Sequence, residues 1–383
     1  MENNYWIIDE CIIFKPNFNE ELTDYYDIIN KYNKIIFSEY NDPLIAIKTN
    51  NQFEYKYNSN YIHNKFNQKI NLSNNINLTH LSFGSNFNQQ VNNLSQNITH
   101  LSFGEKFNQE VINLPQNLTH LTFSVYFNQE VNNLPQNLTN LTFGYKFNQE
   151  VINLPQNLTH LTFGCDFNQE IDLSNNINLT HLTFVGDFNQ EIDLSNNINL
   201  THLTFVGDFN KEIYLSNNIN LTHLSFCNMF NQEINLSNNI NLKYLIFCWD
   251  FNQEINLSNN INLTHLTFKR DFNQEIFIPL NVKSLTMDYC NNQYIIDNLH
   301  NNIEEINIYR TDLNLDNLPN SIKKLYIMQY EKELNNLPNS IEYLELINYN
   351  LKIKKIPKNL KIVKCDKDYK YINDFKNYEV ITY

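Results

Sequence analysis

Residues 167–187 read FNQEIDLSNNINLTHLTFVGD, and residues 188–208 repeat those 21 letters without a change. Copies in the same frame open at Phe66, Phe87, Phe107, Phe127 and Phe147 before this pair, and at Phe209, Phe230, Phe251 and Phe272 after it. Spacing is mostly 20 residues in the early copies and 21 in the later ones. A short fixed period of this kind marks an array of stacked units rather than independent domains.

Within the copy 188–208, Leu200, Leu203 and Phe205 follow the spacing L-x-x-L-x-F. Alternation through His202, Leu203, Thr204 and Phe205 predicts a short strand with one face inward. Phe188, Ile192, Leu194 and Ile198 complete a set of seven inward side chains. Burying each is worth about 1.5–3 kcal/mol, and one coil alone cannot hide them. Coils stacked above and below can. The sequence therefore predicts a β-solenoid of about 15 coils of 19–21 residues between residues 81 and 363, with one parallel sheet on one face. The return segment is LSNNIN or LPQN, the latter holding Pro115, Pro135 and Pro155. It is too short for a stable helix, so extended or turn-like backbone is expected.

The frame weakens toward the C-terminus without stopping. Strand patterns persist at 282–287, 303–308, 322–327, 341–346 and 360–365 while the Phe-Asn start disappears. These shifts divide the chain into an N-terminal cap (1–62), regular repeats (63–277), degenerate repeats (278–365) and a C-terminal cap or tail (366–383). The cap is expected to be small and α+β, with a helix opening at Asn19-Glu20-Glu21 and presenting Leu22, Tyr25, Tyr26 and Ile29.

A net charge of −14 argues against nucleic acid, which demands a basic stripe. No stretch approaches the roughly 18 apolar residues of a membrane helix. The start MENNYWIIDECIIFKPNF lacks the charge and apolar core of a signal peptide. Six scattered cysteines form no paired framework, which fits reduced thiols in a cytoplasmic protein. Cys227 and Cys248 occupy equivalent positions in adjacent copies, where free thiols are expected. Alanine occurs once (Ala46) and arginine twice (Arg270, Arg310), the bias of an AT-rich genome.

Three columns of polar residues recur. The eleven copies keep Asn67, Asn88, Asn108, Asn128, Asn148, Asn168, Asn189, Asn210, Asn231, Asn252 and Asn273 after the opening Phe. Asparagine donates and accepts at once, so a structural hydrogen-bonded ladder is expected. Outward on the strands stand His80, His100, His120, His160, His181, His202, His223 and His265, interrupted by Asn140 and Tyr244. A metal site needs donors converging on a point. A straight column offers parallel rings, so a neutral, mutually hydrogen-bonded imidazole stack is expected instead. The carboxylates of Glu110, Glu130, Glu150, Glu170, Glu191, Glu212, Glu233, Glu254 and Glu275 repeat without a distinct partner and read as a solvated ridge.

The Phe-Asn start, the I/V-x-x-L-P or I-x-L-S return and the L-x-x-L-x-F strand resemble the FNIP repeat, a relative of the leucine-rich repeat. The resemblance is strong over 66–277 and weaker to about 365; the literal FNIP string is absent, because Glu usually holds the fourth place. It implies a leucine-rich-repeat-like β-solenoid of a family found in slime moulds and giant viruses of amoebae, hence a host-cytoplasmic setting if viral. It also implies a non-catalytic protein–protein interaction scaffold, with an unidentified protein as partner and a monomeric state expected. The alternative is a substrate-recognition subunit of a ubiquitin ligase, since some members carry an F-box. Residues 1–62 lack the leucine-dense three-helix pattern of an F-box. With six glycines and no phosphate loop or nucleophile–base pair, neither an enzyme nor a cofactor is expected.

Individuality lies where the copies disagree. The most deviant strand runs Lys243-Tyr244-Leu245-Ile246-Phe247-Cys248-Trp249, with Met229 and Arg270 one coil away on either side. Met229, Lys243, Tyr244, Ile246, Trp249 and Arg270 form the candidate partner-binding patch, because aromatic, Met and Arg side chains dominate interface hot spots.

Overall fold

The protein is described here by a computed structural model covering residues 3–49 and 61–383. Residues 1–2 and 50–60 of the predicted cap lie outside the described residues. The chain forms two compact units, Met1–Ile192 and Asp193–Tyr383. In each, the L-x-x-L-x-F segments become short strands of a parallel ladder.

In the first unit, Tyr5–Ile8 pairs antiparallel with Cys11–Phe14, and Cys11–Phe14 pairs parallel with Lys34–Phe37. The parallel ladder continues through His80–Ser82, His100–Ser102, His120–Thr122, Asn140–Thr142, His160–Phe163 and His181–Phe184. In the second unit it runs from His202–Phe205 through His223–Phe226, Tyr244–Phe247, His265–Lys269 and Ser284–Asp288. Glu305–Tyr309, Lys324–Met328, Tyr343–Ile347, Ile362–Cys365 and Glu379–Thr382 follow. Six strands between residues 80 and 184 and nine between 202 and 365 give the fifteen coils that the spacing predicts. The register aligns like with like, as in Leu203↔Leu224 and Phe205↔Phe226. Since a one-residue slip would turn every leucine outward, this register is strongly specified.

Two phenylalanine columns fill the interior. Phe103 and Phe107 of one coil stack at 3.8 Å, and Phe103 meets Phe123 of the next at 5.6 Å. The same arrangement recurs in the second unit, where Phe226 lies 4.0 Å from Phe230 and 6.0 Å from Phe247. The rings of these pairs lie within 14° of parallel, and stacking them excludes water from the interior. Close stacking also requires a small residue after the early strands: a Cβ on Gly144 would sit 1.9 Å from the Ser124 carbonyl oxygen.

The return segments are turns, as their composition dictates, but one side chain in seven is misassigned by pattern alone. Ile198 is 51% exposed, and Ile219, Ile240 and Ile261 point out equally. Asn197, Asn218, Asn239 and Asn260 are fully buried in their place. Their amides tie one turn to the next: the Asn218 Nδ2 donates to the carbonyls of Leu194 (3.0 Å) and Asn197 (2.9 Å), both from the preceding coil, each of which also accepts a backbone N–H of its own turn. An inward isoleucine would forfeit both intercoil hydrogen bonds, each worth about 1 kcal/mol net, and with them the register that they fix between turns.

The N-terminal segment also departs from its predicted helix. Leu22–Tyr25 is a 3-10 turn followed by one short helical turn, Tyr26–Ile29, and no side chain caps either. Asn19 is engaged elsewhere: its Oδ1 accepts the Asn67 backbone N–H at 2.9 Å. Phe18 stacks on Phe66 at 5.7 Å. Phe18-Asn19 is thus a further Phe-Asn start, one that the period misses because the chain between it and Phe66 is far longer than one coil. On the outer face, Ala46 of the helix Pro43–Thr49 lies in one apolar cluster with Cys11, Ile13 and Ile36.

Candidate interaction surface

The Phe-Asn asparagines form a ladder at the surface. Asn88, Asn108, Asn128, Asn148, Asn168 and Asn189 each donate backbone N–H to the Oδ1 of the preceding rung, beginning at Asn67, over 2.8–3.0 Å. In the second unit Asn231, Asn252 and Asn273 repeat the contact from Asn210 upward. The following glutamine adds its Nε2 to the same oxygen, as Gln149 does on Asn128 at 3.1 Å. These side chains tie coil to coil and expose little chemistry. Next to them the predicted glutamates, from Glu110 to Glu275, are all exposed.

On the outer strand face, His80, His100 and His120 stack with ring centroids 4.1 Å apart, as do His160 with His181 and His202 with His223. Asn140 breaks the column. Face-to-face stacking rules out the expected bonds between imidazoles. Each Nδ1 instead meets the hydroxyl of the preceding threonine, as His100 does with Thr99 at 2.9 Å. Thr99 donates its one hydroxyl proton to the Thr79 carbonyl at 3.2 Å, so it accepts from Nδ1–H and leaves the Nε2 lone pair free. Among the described residues no three His, Cys, Asp or Glu side chains converge as metal ligands do.

Partial burial, and secondarily the charge of neighbours, holds these rings neutral. His100 is pushed down to about 4 by burial first and by His80 and His120 next. Burial also lowers His80, His120, His160, His223 and His265. In the unfolded chain the same residues titrate near about 6.5, so below that pH the unfolded state binds more protons and folding stability falls. The loss is expected to begin near that value and to level off once the folded stack protonates, near 4 for His100. Melting temperatures measured from pH 7.5 to 4 should drop across this window, and His100→Asn with His120→Asn should flatten the slope. A wild-type profile that matches the double variant would refute the column's role.

Tyr244 continues the column in the second unit, sandwiched between His223 (4.4 Å) and His265 (4.2 Å). Both ring faces are therefore occupied. Trp249 lies five residues further on, in the turn beyond the strand end at Phe247, so the predicted patch is strung along the coil rather than gathered in one cluster. Lys243 sits exposed before the strand, Ile246 is half-buried on its outer face, and Met229, Trp249 and Arg270 are exposed after it.

The loops after the strands gather what the deviant strand does not. Trp249, Arg270, Tyr289 and Arg310 hold the same position in four consecutive coils, two residues past the last inward strand residue. Trp249 lies 6.5 Å from Tyr289, and the Arg310 guanidinium covers the Tyr289 ring at 4.6 Å. Arg310 Nη1 also donates to the Tyr289 hydroxyl at 3.1 Å, while its Nε lies 3.7 Å from the Asp288 carboxylate. Trp249 and Tyr289 each remain 41% exposed. Both arginines of the chain thus stand on one ridge. Tyr289 and Arg310 escaped the sequence reading because coils shorten and the Phe-Asn landmark is lost there; φ is positive at both, 55° and 53°. Counting two residues past each strand would have found them.

A second group missed by pattern lies on the outer face of the degenerate strands. Tyr326 meets Tyr343 at 5.3 Å, while Lys364 covers the Tyr383 ring at 4.1 Å and pairs with Glu345 at 3.5 Å. This face has none of the histidine regularity.

The FNIP repeat profile matches residues 90–125, 107–146, 127–166, 147–177 and 312–349. The chain carries FNIP repeats. The match at 312–349 shows that the FNIP frame reaches the degenerate coils. Among solved structures, the FNIP chain is similar to CroV588, described as a novel circular leucine-rich-repeat protein. Identity is 32%, coverage is 95% of this chain and 64% of that one, and the TM-score is 0.66. This chain therefore spans just under two thirds of CroV588. The TLR13–ssRNA13 complex matches at 13% identity, covering 93% and 64%, with a TM-score of 0.56. That likeness concerns the leucine-rich-repeat fold. The functional domain of InlJ from Listeria monocytogenes matches at 17% identity, 93% and 72% coverage and a TM-score of 0.49. A search of curated proteins returns no match. No helix among the described residues is long and apolar enough to cross a membrane.

Proposed function

We propose that this protein is a non-catalytic interaction scaffold that engages a protein partner through the Trp249–Arg270–Tyr289–Arg310 ridge. Repeat solenoids of the leucine-rich type commonly act as such scaffolds, because stacking yields a long, rigid surface whose outward residues are free to vary. The observation that carries the reading is the ridge itself, an alternation of aromatic and guanidinium side chains at equivalent positions of four coils. Trp, Tyr and Arg are the residues most enriched among interface hot spots. Their rigid spacing limits the entropy lost when a partner docks.

The test begins with affinity purification from the native cell, followed by measurement of Kd for the recovered partner. Trp249→Ala should weaken binding by about 2 kcal/mol, roughly 30-fold. Glu254→Ala, on the acidic ridge, should leave it unchanged. A Kd for Trp249→Ala equal to that of the wild type would dismiss the ridge.

A further inference from the structure

Cys227 and Cys248 follow the last inward phenylalanine of adjacent strands, one residue past the register pair Phe226↔Phe247. Their sulfurs lie 3.1 Å apart, and the Cys248 S–H donates to the Cys227 sulfur. Neighbouring strands run about 4.8 Å apart, inside the Cα separation of about 4.4–6.8 Å that a disulfide tolerates. Closing to a bond of about 2.05 Å takes roughly 1 Å of sulfur movement. Cys227 is half-buried and flanked by exposed Asn228 and Met229, whereas Cys248 is buried. A small reagent therefore reaches Cys227 first.

We propose that Cys227 and Cys248 are a redox-active thiol pair, in which Cys227 attacks a small-molecule disulfide and Cys248 resolves the mixed disulfide into an intercoil bridge. The surroundings favour Cys227 as the nucleophile. The hydrogen bond from Cys248 holds the Cys227 thiol below the ordinary range, against its burial, with the Ser225 hydroxyl and the Lys269 charge adding to the effect. Cys248 is held above its ordinary range by donating that bond and by burial. Burial raises the thiols of Cys11, Cys165, Cys290 and Cys365 as well, so that of the six thiols Cys227 alone is shifted downward.

The steps balance. The Cys227 thiolate displaces one thiolate from glutathione disulfide and forms a protein–glutathione mixed disulfide. Cys248 then gives up its proton and attacks the Cys227 sulfur, expelling the second glutathione thiolate. Two protein thiols lose two electrons and two protons, and one glutathione disulfide becomes two glutathione molecules. The bridge would staple the loop carrying Met229 to the one carrying Trp249. The proposal does not depend on that ridge binding a partner.

The full chain, reduced and then exposed to graded glutathione disulfide, is alkylated under denaturing conditions and mapped by peptide mass spectrometry. The expected product is a single Cys227–Cys248 linkage with the other four thiols alkylated, reversed by dithiothreitol. Cys248→Ser should trap one glutathione on Cys227, while Cys227→Ser should take up none. In a Trp6→Phe background Trp249 is the only tryptophan, and bridging should quench its emission. Circular dichroism checks that both serine variants stay folded. Two reduced thiols at oxidant levels that modify free cysteine would overturn the proposal, as would glutathione found on Cys248 instead of Cys227.

Discussion

Replacing Phe123 by alanine is expected to destabilise the first unit by about 3–5 kcal/mol, the range for truncating a fully buried aromatic side chain. Phe123 has no exposed surface and stacks on Phe127 at 3.8 Å, Phe103 at 5.6 Å and Phe143 at 5.8 Å. One substitution therefore removes contacts within its own coil and with both neighbours. In a solenoid each coil touches only the next, so no distant packing compensates. Urea titration followed by circular dichroism should show a lowered midpoint. A shallower slope would mean that the array now yields at the cavity before the rest unfolds. Phe277→Ala is the matched control, since Phe277 is 78% exposed, and it should stay within about 0.5 kcal/mol of wild type. Should Phe123→Ala behave like the control, the stacked phenylalanines are not what holds the coils together.

Legibility in the sequence follows the number of signals that agree. Strand positions were readable because Leu203 and Phe205, or Leu224 and Phe226, recur at a fixed offset and are inward in every copy. Period and alternation give the same answer there. In the return turn, hydrophobicity and backbone hydrogen bonding conflict. Ile198 is apolar and reads as inward, whereas the intercoil amide bonds of the turn select Asn for the interior. Apolar periodicity carries no information about such intercoil bonds, so the buried asparagines stay hidden among the many exposed ones. The candidate ridge failed differently. Trp249 and Arg270 stand out against identical neighbours, but Tyr289 and Arg310 lie where every copy deviates, and deviation marks nothing without a constant background. Tyr244 shows the converse error, since an unusual residue in the histidine column simply continues the stack.

The two asparagine ladders use opposite ends of the same amide, and isosteric substitution separates them. Asn239 is fully buried, and its Nδ2 donates to the carbonyls of Leu215 at 3.0 Å and Asn218 at 2.9 Å. Asn239→Asp sets a carboxylate against two carbonyl oxygens, and an uncompensated buried charge of this kind should cost about 3–5 kcal/mol. Asn128 works through its oxygen, which accepts the Asn148 N–H at 2.9 Å and the Gln149 amide at 3.1 Å. Asn128→Asp keeps that acceptor and should fall within about 0.5 kcal/mol of wild type. The pH dependence should differ in sign, taken as variant minus wild type so that the histidine contribution cancels. Burial raises the folded pKa of the carboxyl introduced by Asn239→Asp. That variant therefore regains stability below the unfolded value of about 3.9 and loses it as pH rises through the folded one. In Asn128→Asp two donors stabilise the new anion, so its folded pKa is lowered. Its contribution is present above about 3.9 and is lost as pH falls through the folded value. Equal costs and parallel pH profiles for the two variants would mean that the ladders do not divide donor and acceptor roles in this way.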